Sequence, residues 1–313
     1  MDRVGASINQ GAEVIKPLTS YVLFTYNQEA YVRESLEAAL SQTYPRLEIV
    51  ISDDCSKDRT VDVIREVLSE YSGAHRIVLN VNQKNLGIGG HISLILNELC
   101  SGDHCILVGG DDISKPDHVD RAVDAIEANK DAYVIDFSAS VIDGEGHFLS
   151  ENAVSSEPLS YNLKSYLQFA PFRTFAPGRI IRRELFKIFG GIAPICPTED
   201  SVIVLRALIL GKLQRLPINV INYRRTESSI SVPKNLKKLN IQAIVGQYRK
   251  DVETAFEKGL IDGNKRAMLL KRISVDSMRR TIMNWSHANW IMNYICRISI
   301  KLLVSGYRLS LKI

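Results

Sequence analysis

Three short acidic stretches have the residue types for chemistry on a charged substrate. They are Asp53-Asp54 in VISDDCSKDRT, Asp111-Asp112 in LVGGDDISKP and Glu199-Asp200 in CPTEDSVIVL. Adjacent carboxylates repel, so a cation or hydrogen-bond donors must offset them. Mg2+ and Mn2+ favour carboxylate oxygens together with phosphate oxygens, which makes a metal-bound diphosphate the natural partner of Asp111-Asp112 behind its two glycines. Structural readings compete for the other two. Asp53-Asp54 also reads as a polar turn before a helix capped by Asp58, and Glu199-Asp200 as the first turn of a helix capped by Thr198, where the helix dipole favours negative charge. A carboxylate at a helix start can also accept a proton from a hydroxyl if it faces a crevice.

The elements that must position these acids follow from the hydrophobic pattern. From Thr19 to Asp112, apolar runs (SYVLFT, LEIVIS, RIVLNV, HCILVG) alternate with amphipathic stretches near Gln28 to Ser41, Asp58 to Tyr71 and Gly90 to Leu99. Strands alternating with helices imply βαβ units and a parallel sheet. The runs LEIVIS and HCILVG each end close to an Asp pair, and open α/β sheets bind ligands beyond the carboxyl ends of their strands, so both pairs are expected to face one site. Next come a helix starting near Pro116, a turn at Asp143-Gly144 between two extended segments, a strand over 178–183, a helix from Thr198 to Leu210 and an extended return through LQRLPINVINYRR. Beyond about Pro233 the pattern is helical and basic. NLGIGGHIS carries Ile92 where a dinucleotide fingerprint needs Gly, and a P-loop is absent, which weakens dehydrogenase and NTPase readings.

Composition sets the outer limits. The 313 residues are 45% hydrophobic, enough for one large core or two modest ones, and a formal charge of +4 is too mild to make nucleic acid the main partner. Five cysteines without a CxxC pair indicate neither a disulfide framework nor a zinc cluster, and fit a reducing compartment. With neither a signal-type apolar stretch nor a spanning one, the expectation is a cytoplasmic protein, soluble or peripheral on the inner face of the cell membrane.

Taken in order, FTYNQEAYVRESLEAALSQTYPRLEIVISDDCSKDRT, NLGIGG, GGDDISKPDHV, GRIIRRELFKIFGG, TEDSVIVLRALILGKL and YRRTESSIS resemble glycosyltransferase family 2, the inverting enzymes of GT-A fold. The resemblance implies an α/β fold with a Rossmann-like mixed sheet flanked by helices: an N-terminal extension over 1–17, a GT-A domain over 18–232 and a helical region over 233–313. It implies that Thr25, Tyr26, Asp54 and Asp111 contact the nucleotide, with Tyr26 against the base, Asp54 accepting a hydrogen bond from uracil or thymine, and Asp111 near the ribose. Asp112 then binds Mn2+ or Mg2+, Asp200 is the general base, and Glu199, Arg224 and Arg225 contact acceptor or phosphate. The implied reaction passes a sugar, with inversion, from a UDP- or dTDP-sugar to a hydroxyl of a glycan or lipid-linked acceptor in surface polysaccharide assembly. Three positions depart from the family: Cys55 stands for a frequent Gly, Gly109 for a frequent acid, and Thr226 near a frequent His.

Residues 265–313 interleave Lys and Arg with Trp285, Trp290, Tyr294 and Tyr307. This suits either a helix packed on the catalytic domain or another subunit, or one lying in a membrane interface. Two other functions share an acidic nucleotide site. A sugar-nucleotide-forming nucleotidyltransferase would need a Gly-rich basic loop after the first strand, which FTYNQEAY does not offer. A non-catalytic nucleotide-sugar-binding subunit would have no need of both Asp112 and Asp200.

Overall fold

The structure, a computed structural model, describes residues 16–152, 156–226, 239–285 and 304–307. Its first half is the expected repeat: β1 (Thr19–Thr25), α1 (Val32–Leu40), β2 (Leu47–Asp53), α2 (Thr60–Glu70), β3 (Arg76–Val81), α3 (Gly87–Leu94) and β4 (His104–Gly109). A π-helical turn, Ile95–Leu99, extends α3. The four strands pair in parallel, with Thr25 opposite Asp53 and Phe24 opposite Gly109, so β1, β2 and β4 finish at one level. Parallel strands flanked by helices on both sides read as near-continuous apolar runs, and β2 is buried at all seven positions.

The second half mixes directions. It comprises β5 (Ile113–Ser114), α4 (His118–Ala128), β6 (Ala132–Ile142), β7 (Phe148–Glu151), β8 (Leu159–Asn162), α5 (Leu163–Leu167), β9 (Ile180–Arg182), α6 (Glu184–Phe189), α7 (Asp200–Leu210) and β10 (Lys212–Arg224). The sheet order is β3-β2-β1-β4-β9-β6-β10-β5, with β7 added on β6 and β8 on β10. Strand β9 runs antiparallel to both β4 and β6, while β6 and β10 are parallel, so β6 and β10 also end at the edge where β4 ends. The Asp143-Gly144 turn joins β6 to β7 as the sequence suggested.

Alternating side chains load both faces of the sheet. Tyr21, Leu23, Ile49 and Ile51 pack with Leu36, Ile64 and Val123 of α1, α2 and α4. Val22, Val50 and Leu107 pack with Ile92, Phe186, Val202 and Leu205 on the other side. That second core also takes in Ile244, Tyr248 and Val252 of α8 (Ile241–Glu257) and Leu269 and Ile273 of α9 (Gly263–Trp285). Asn240 caps α8 by accepting from Ala243 N at 3.1 Å. Of the region expected from residue 233 onward, α8 and the start of α9 therefore share the core of the sheet domain. Pro233, Trp290 and Tyr294 lie outside the described residues.

Candidate active site

Residues from four strand ends meet at the common edge. The turn after β4 is tight: Asp112 N donates to Gly109 O at 3.1 Å and Gly110 N to Phe24 O at 3.0 Å. Gly110 is required for packing, because a Cβ there would lie 2.3 Å from Gln28 Oε1 and 2.6 Å from Thr25 Cγ2. The glycine thus brings the acidic turn against the end of β1. Asp112 is 3% exposed, and its Oδ1 accepts from Arg224 N at 3.0 Å. The Gln28 side chain hydrogen-bonds Asp111. Burial raises the carboxyl pKa of both residues; for Asp112 the Asp111 charge pushes it further, well above the usual carboxylate range.

The Asp53-Asp54 pair divides its tasks. Asp53 is fully buried and accepts from Thr25 Oγ1 at 2.9 Å and from Ser56 N at 2.8 Å, so it organises the turn instead of facing the crevice, contrary to expectation. Neighbours on an extended chain point to opposite sides. Asp54 Oδ1 accepts from Asn82 Nδ2 at 2.9 Å and Leu86 N at 2.8 Å, which ties β2 to the start of α3. Thr25 is 2% exposed with its hydroxyl turned to Asp53, whereas Tyr26 is 47% exposed at the end of β1. Asp58 does satisfy the free donor of Thr60 N, at 3.0 Å.

The glycines of NLGIGG also have a packing task. A Cβ on Gly89 would lie 2.6 Å from Ala193 O and 2.8 Å from Cys196 O, and Gly87 has φ +68°. They admit the loop that leads into Glu199-Asp200. Helix α7 begins at Asp200, and Glu199 at its N-cap makes no side-chain cap, nor does Thr198 serve as the expected one. The Asp200 side chain is 47% exposed, with Oδ1 3.6 Å from Arg179 Nη1. Glu199 is held well above the usual range by burial and by the charge of Asp200.

Sequence reasoning missed Arg179 and Asp136, which stand 43 residues apart and are both fully enclosed, with Arg179 Nε donating to Asp136 Oδ1 at 2.9 Å. No local pattern announces such a pair.

Arg224 was expected to contact acceptor or phosphate, but the structure gives it another task. Its guanidinium, 2% exposed, donates from Nε to Asp111 O at 3.1 Å, from Nη1 to Gly144 O at 2.9 Å and from Nη2 to Glu34 Oε2 at 2.5 Å, and it lies over the Tyr31 ring. With every nitrogen engaged by protein, it clamps the acidic turn to α1 and the β6–β7 turn. Arg225 is exposed at the end of β10, its N donating to Ile142 O at 2.9 Å.

The resemblance implies a divalent cation. Asp111 and Asp112 offer hard oxygen donors, Arg224 directs its Nε to the Asp111 carbonyl, and burial keeps both carboxyl pKa values raised even against the lowering effect of the Arg224 charge. These residues fit Mn2+ or Mg2+. On the neighbouring turn, one oxygen or nitrogen each of Asp143, Glu145 and His147 lie within 4.8 Å of one another, though Asp143 Oδ1 is engaged by Glu145 N and His147 N.

Two solved structures share the fold at low identity: S. aureus TarS 1–349 in complex with UDP-GlcNAc (TM-score 0.57, 16% identity, 94% of this chain and 91% of that one) and a mannosyltransferase from Pyrobaculum calidifontis in complex with GDP-Man and Mn2+ (TM-score 0.55, 15% identity, 95% and 83%). The architecture is that of the GT-A glycosyltransferases. The model of "Glycosyl transferase family 2" matches residues 20–189, and the chain belongs to that family. An uncharacterized glycosyltransferase of Nostoc sp. is 28% identical over 214 residues, 66% of this chain and 64% of that one. The chain spans under two thirds of the length of this and the next curated relatives.

Proposed function

We propose that this protein is a metal-dependent inverting glycosyltransferase that passes a sugar from a UDP- or dTDP-sugar to a hydroxyl of a glycan or lipid-linked acceptor, in surface polysaccharide assembly. The observation that carries the reading is the gathering of Tyr26, Asp111 and Asp112 at the carboxyl ends of β1 and β4, with Asp200 opening toward solvent at the start of α7 beside β4's partner strand. The cocrystallised UDP-GlcNAc of TarS and the GDP-Man with Mn2+ of the mannosyltransferase support a nucleotide-sugar donor and a divalent cation here.

In this reading Tyr26 stacks on the base, Thr25 and Asp54 shape the pocket beneath it, and Asp111 reaches the ribose. Asp112, with oxygens of the donor diphosphate, would hold Mn2+ or Mg2+, which supplies Lewis-acid stabilisation of the charge on the departing diphosphate. Asp200 accepts the proton of the acceptor hydroxyl as the oxygen bonds the anomeric carbon. The bond from that carbon to the diphosphate breaks on the opposite side, its electron pair leaves with the nucleoside diphosphate, and the configuration inverts. Glu199, its carboxyl pKa raised by burial and by the charge of Asp200, orients the acceptor in this reading. Arg225 is the cation proposed for phosphate or acceptor, since Arg224 is engaged elsewhere. Among the described residues no helix is long and apolar enough to cross a membrane. We propose a cytoplasmic setting, and of the two alternatives for the C-terminal region, packing and membrane contact, the burial of α8 and the start of α9 in the core favours packing for those helices.

Thermal shift with UDP, dTDP and their sugars, with and without Mn2+, tests donor and metal together, because a ligand of the native state raises stability by mass action. Asp112→Ala should abolish the Mn2+-dependent shift, and Asp200→Asn should keep it while stopping transfer. Normal turnover in Asp200→Asn removes Asp200 from the role of base.

A further inference from the structure

Arg179 does not enter the reaction just described, yet it is 1% exposed and lies between Asp136 and Asp200. Its backbone pairs with β4, Leu107 N donating to Arg179 O and Gly178 N to Leu107 O, both at 3.1 Å. The preceding Gly178 adopts φ +72°, and a Cβ there would lie 2.9 Å from His118 Cε1. His118 in turn reaches Gly178 O from Nε2 at 2.8 Å and Ser114 Oγ from Nδ1 at 2.9 Å. The main chain that carries Arg179 is therefore fixed to β4 and α4. One side of the guanidinium is held by Asp136 of β6, with Nε and Nη2 each 2.9 Å from Oδ1, while Asp136 Oδ2 accepts from Phe175 N at 2.7 Å. From the other side Nη1 donates to the backbone carbonyl of Asp200 at 3.3 Å and lies 3.6 Å from its Oδ1.

We propose that Arg179, anchored by Asp136, is the positioning residue that holds the Asp200 carboxylate in place to take the acceptor's proton. The inference rests on the reading of Asp200 as the base. A planar guanidinium presents donors on both edges, so it bridges Asp136 and Asp200 at once. A lysine keeps the charge at a single point and can satisfy one carboxylate only. Asp200 then loses the hydrogen bond to its backbone carbonyl and the 3.6 Å ion pair to Oδ1, while the donor site at the ends of β1 and β4 is untouched.

The test is a double-mutant cycle of Arg179→Lys with Asp200→Asn, read as nucleotide release in the presence of Mn2+ from whichever of UDP-GlcNAc, UDP-glucose or dTDP-glucose the wild type turns over fastest. Misplacement of a reacting group by about 1 Å costs on the order of 100-fold, so Arg179→Lys should lower kcat roughly 30-fold with KM for the donor within about twofold. In the slow residual release of nucleotide to water that Asp200→Asn retains, the same change should cost nothing more, because the group it positions is already gone. Equal losses in both backgrounds, or a kcat within about twofold of wild type, overturns the proposal. If Arg179→Lys melts too low to assay, Asp136→Asn enters the same cycle, with roughly fivefold loss expected and the same dependence on Asp200. A wild type that neither releases nucleotide from any of the three sugars nor is stabilised by UDP with Mn2+ sinks the glycosyltransfer reading and this inference with it; stabilisation without an Asp200-dependent loss sinks the inference alone.

Discussion

Replacing Asp251 by Ala strands a guanidinium inside the protein. Arg206 on α7 and Asp251 on α8 are both fully buried and joined by two bonds, Nε to Oδ2 at 2.7 Å and Nη2 to Oδ1 at 3.0 Å. Asp251 Oδ1 also accepts from Gln247 Nε2 at 2.8 Å, and Gln247 Oε1 accepts from Ala193 N at 2.8 Å in the loop before Glu199. After the change Arg206 keeps its bond to Gly190 O at 2.9 Å and the faces of Phe186 and Phe189, but its charge has no counterpart. Breaking a buried pair from one side costs about 3–5 kcal/mol. That corresponds to a fall of roughly 6–20 °C in the melting midpoint at about 2–4 °C per kcal/mol. The check is urea denaturation, with Arg206→Met/Asp251→Leu as companion. Removing both charges should recover most of the loss, because the cost lies in the unpaired charge and not in the missing attraction. A loss under about 1 kcal/mol in Asp251→Ala would refute the reasoning, since that is what an exposed ion pair contributes.

Gly110→Ala should cost about 1–3 kcal/mol and weaken UDP binding, because Thr25 and Gln28 must move to admit the methyl group; unchanged melting and unchanged UDP affinity would show that the turn has slack. Arg224→Lys should lower Mn2+-dependent UDP affinity by roughly tenfold, read by calorimetry, since one ammonium cannot serve Glu34, Asp111 O and Gly144 O together. Glu199 supplies a pH test. Its folded pKa is raised by burial and by Asp200, so its contribution to stability is present below the ordinary carboxylate pKa and is lost as pH rises through the folded value. Glu199→Gln, neutral throughout, should therefore gain stability relative to wild type as pH rises, and a constant difference in melting temperature would show that Glu199 titrates normally.

The alternation of apolar runs with amphipathic stretches carries the parallel half of the fold, and Asp143-Gly144 carries its turn, because both are local patterns that a chain must satisfy to bury strands and reverse direction. What escaped the sequence depends on partners brought together by the fold. Nothing near Asp53 says that it turns inward to Thr25 while Asp54 reaches Asn82. Gly87, Gly89 and Gly90 match neither phosphate-binding pattern in the sequence, and only the fold shows that they pack on Ala193, Pro194 and Cys196. Arg224 reads as a free cation at a strand end until Glu34, 190 residues away, is found against it. Thr198 has the chemistry of a cap and the helix begins without using it, Thr198 O accepting instead from Cys196 Sγ at 3.3 Å.

The distribution of buried charge bears on where the cation comes from. Arg206 is matched by Asp251, Arg179 by Asp136 and Asp200, and Arg224 by Glu34. Buried Arg215 is taken up by the carbonyls of Arg173 and Asn152. At the Asp111-Asp112 turn the pattern reverses: Oδ1 of Asp112 receives a neutral backbone N–H, Asp111 receives Gln28, and the nearby guanidinium bonds the Asp111 carbonyl. The Arg224 charge still acts on both acids, yet burial keeps their carboxyl pKa values raised, and in the proposed reading a divalent cation arriving with the ligand would supply further positive charge. In that reading the anionic nucleoside diphosphate would enter the turn together with its divalent cation, which offsets the repulsion between the diphosphate and the acids.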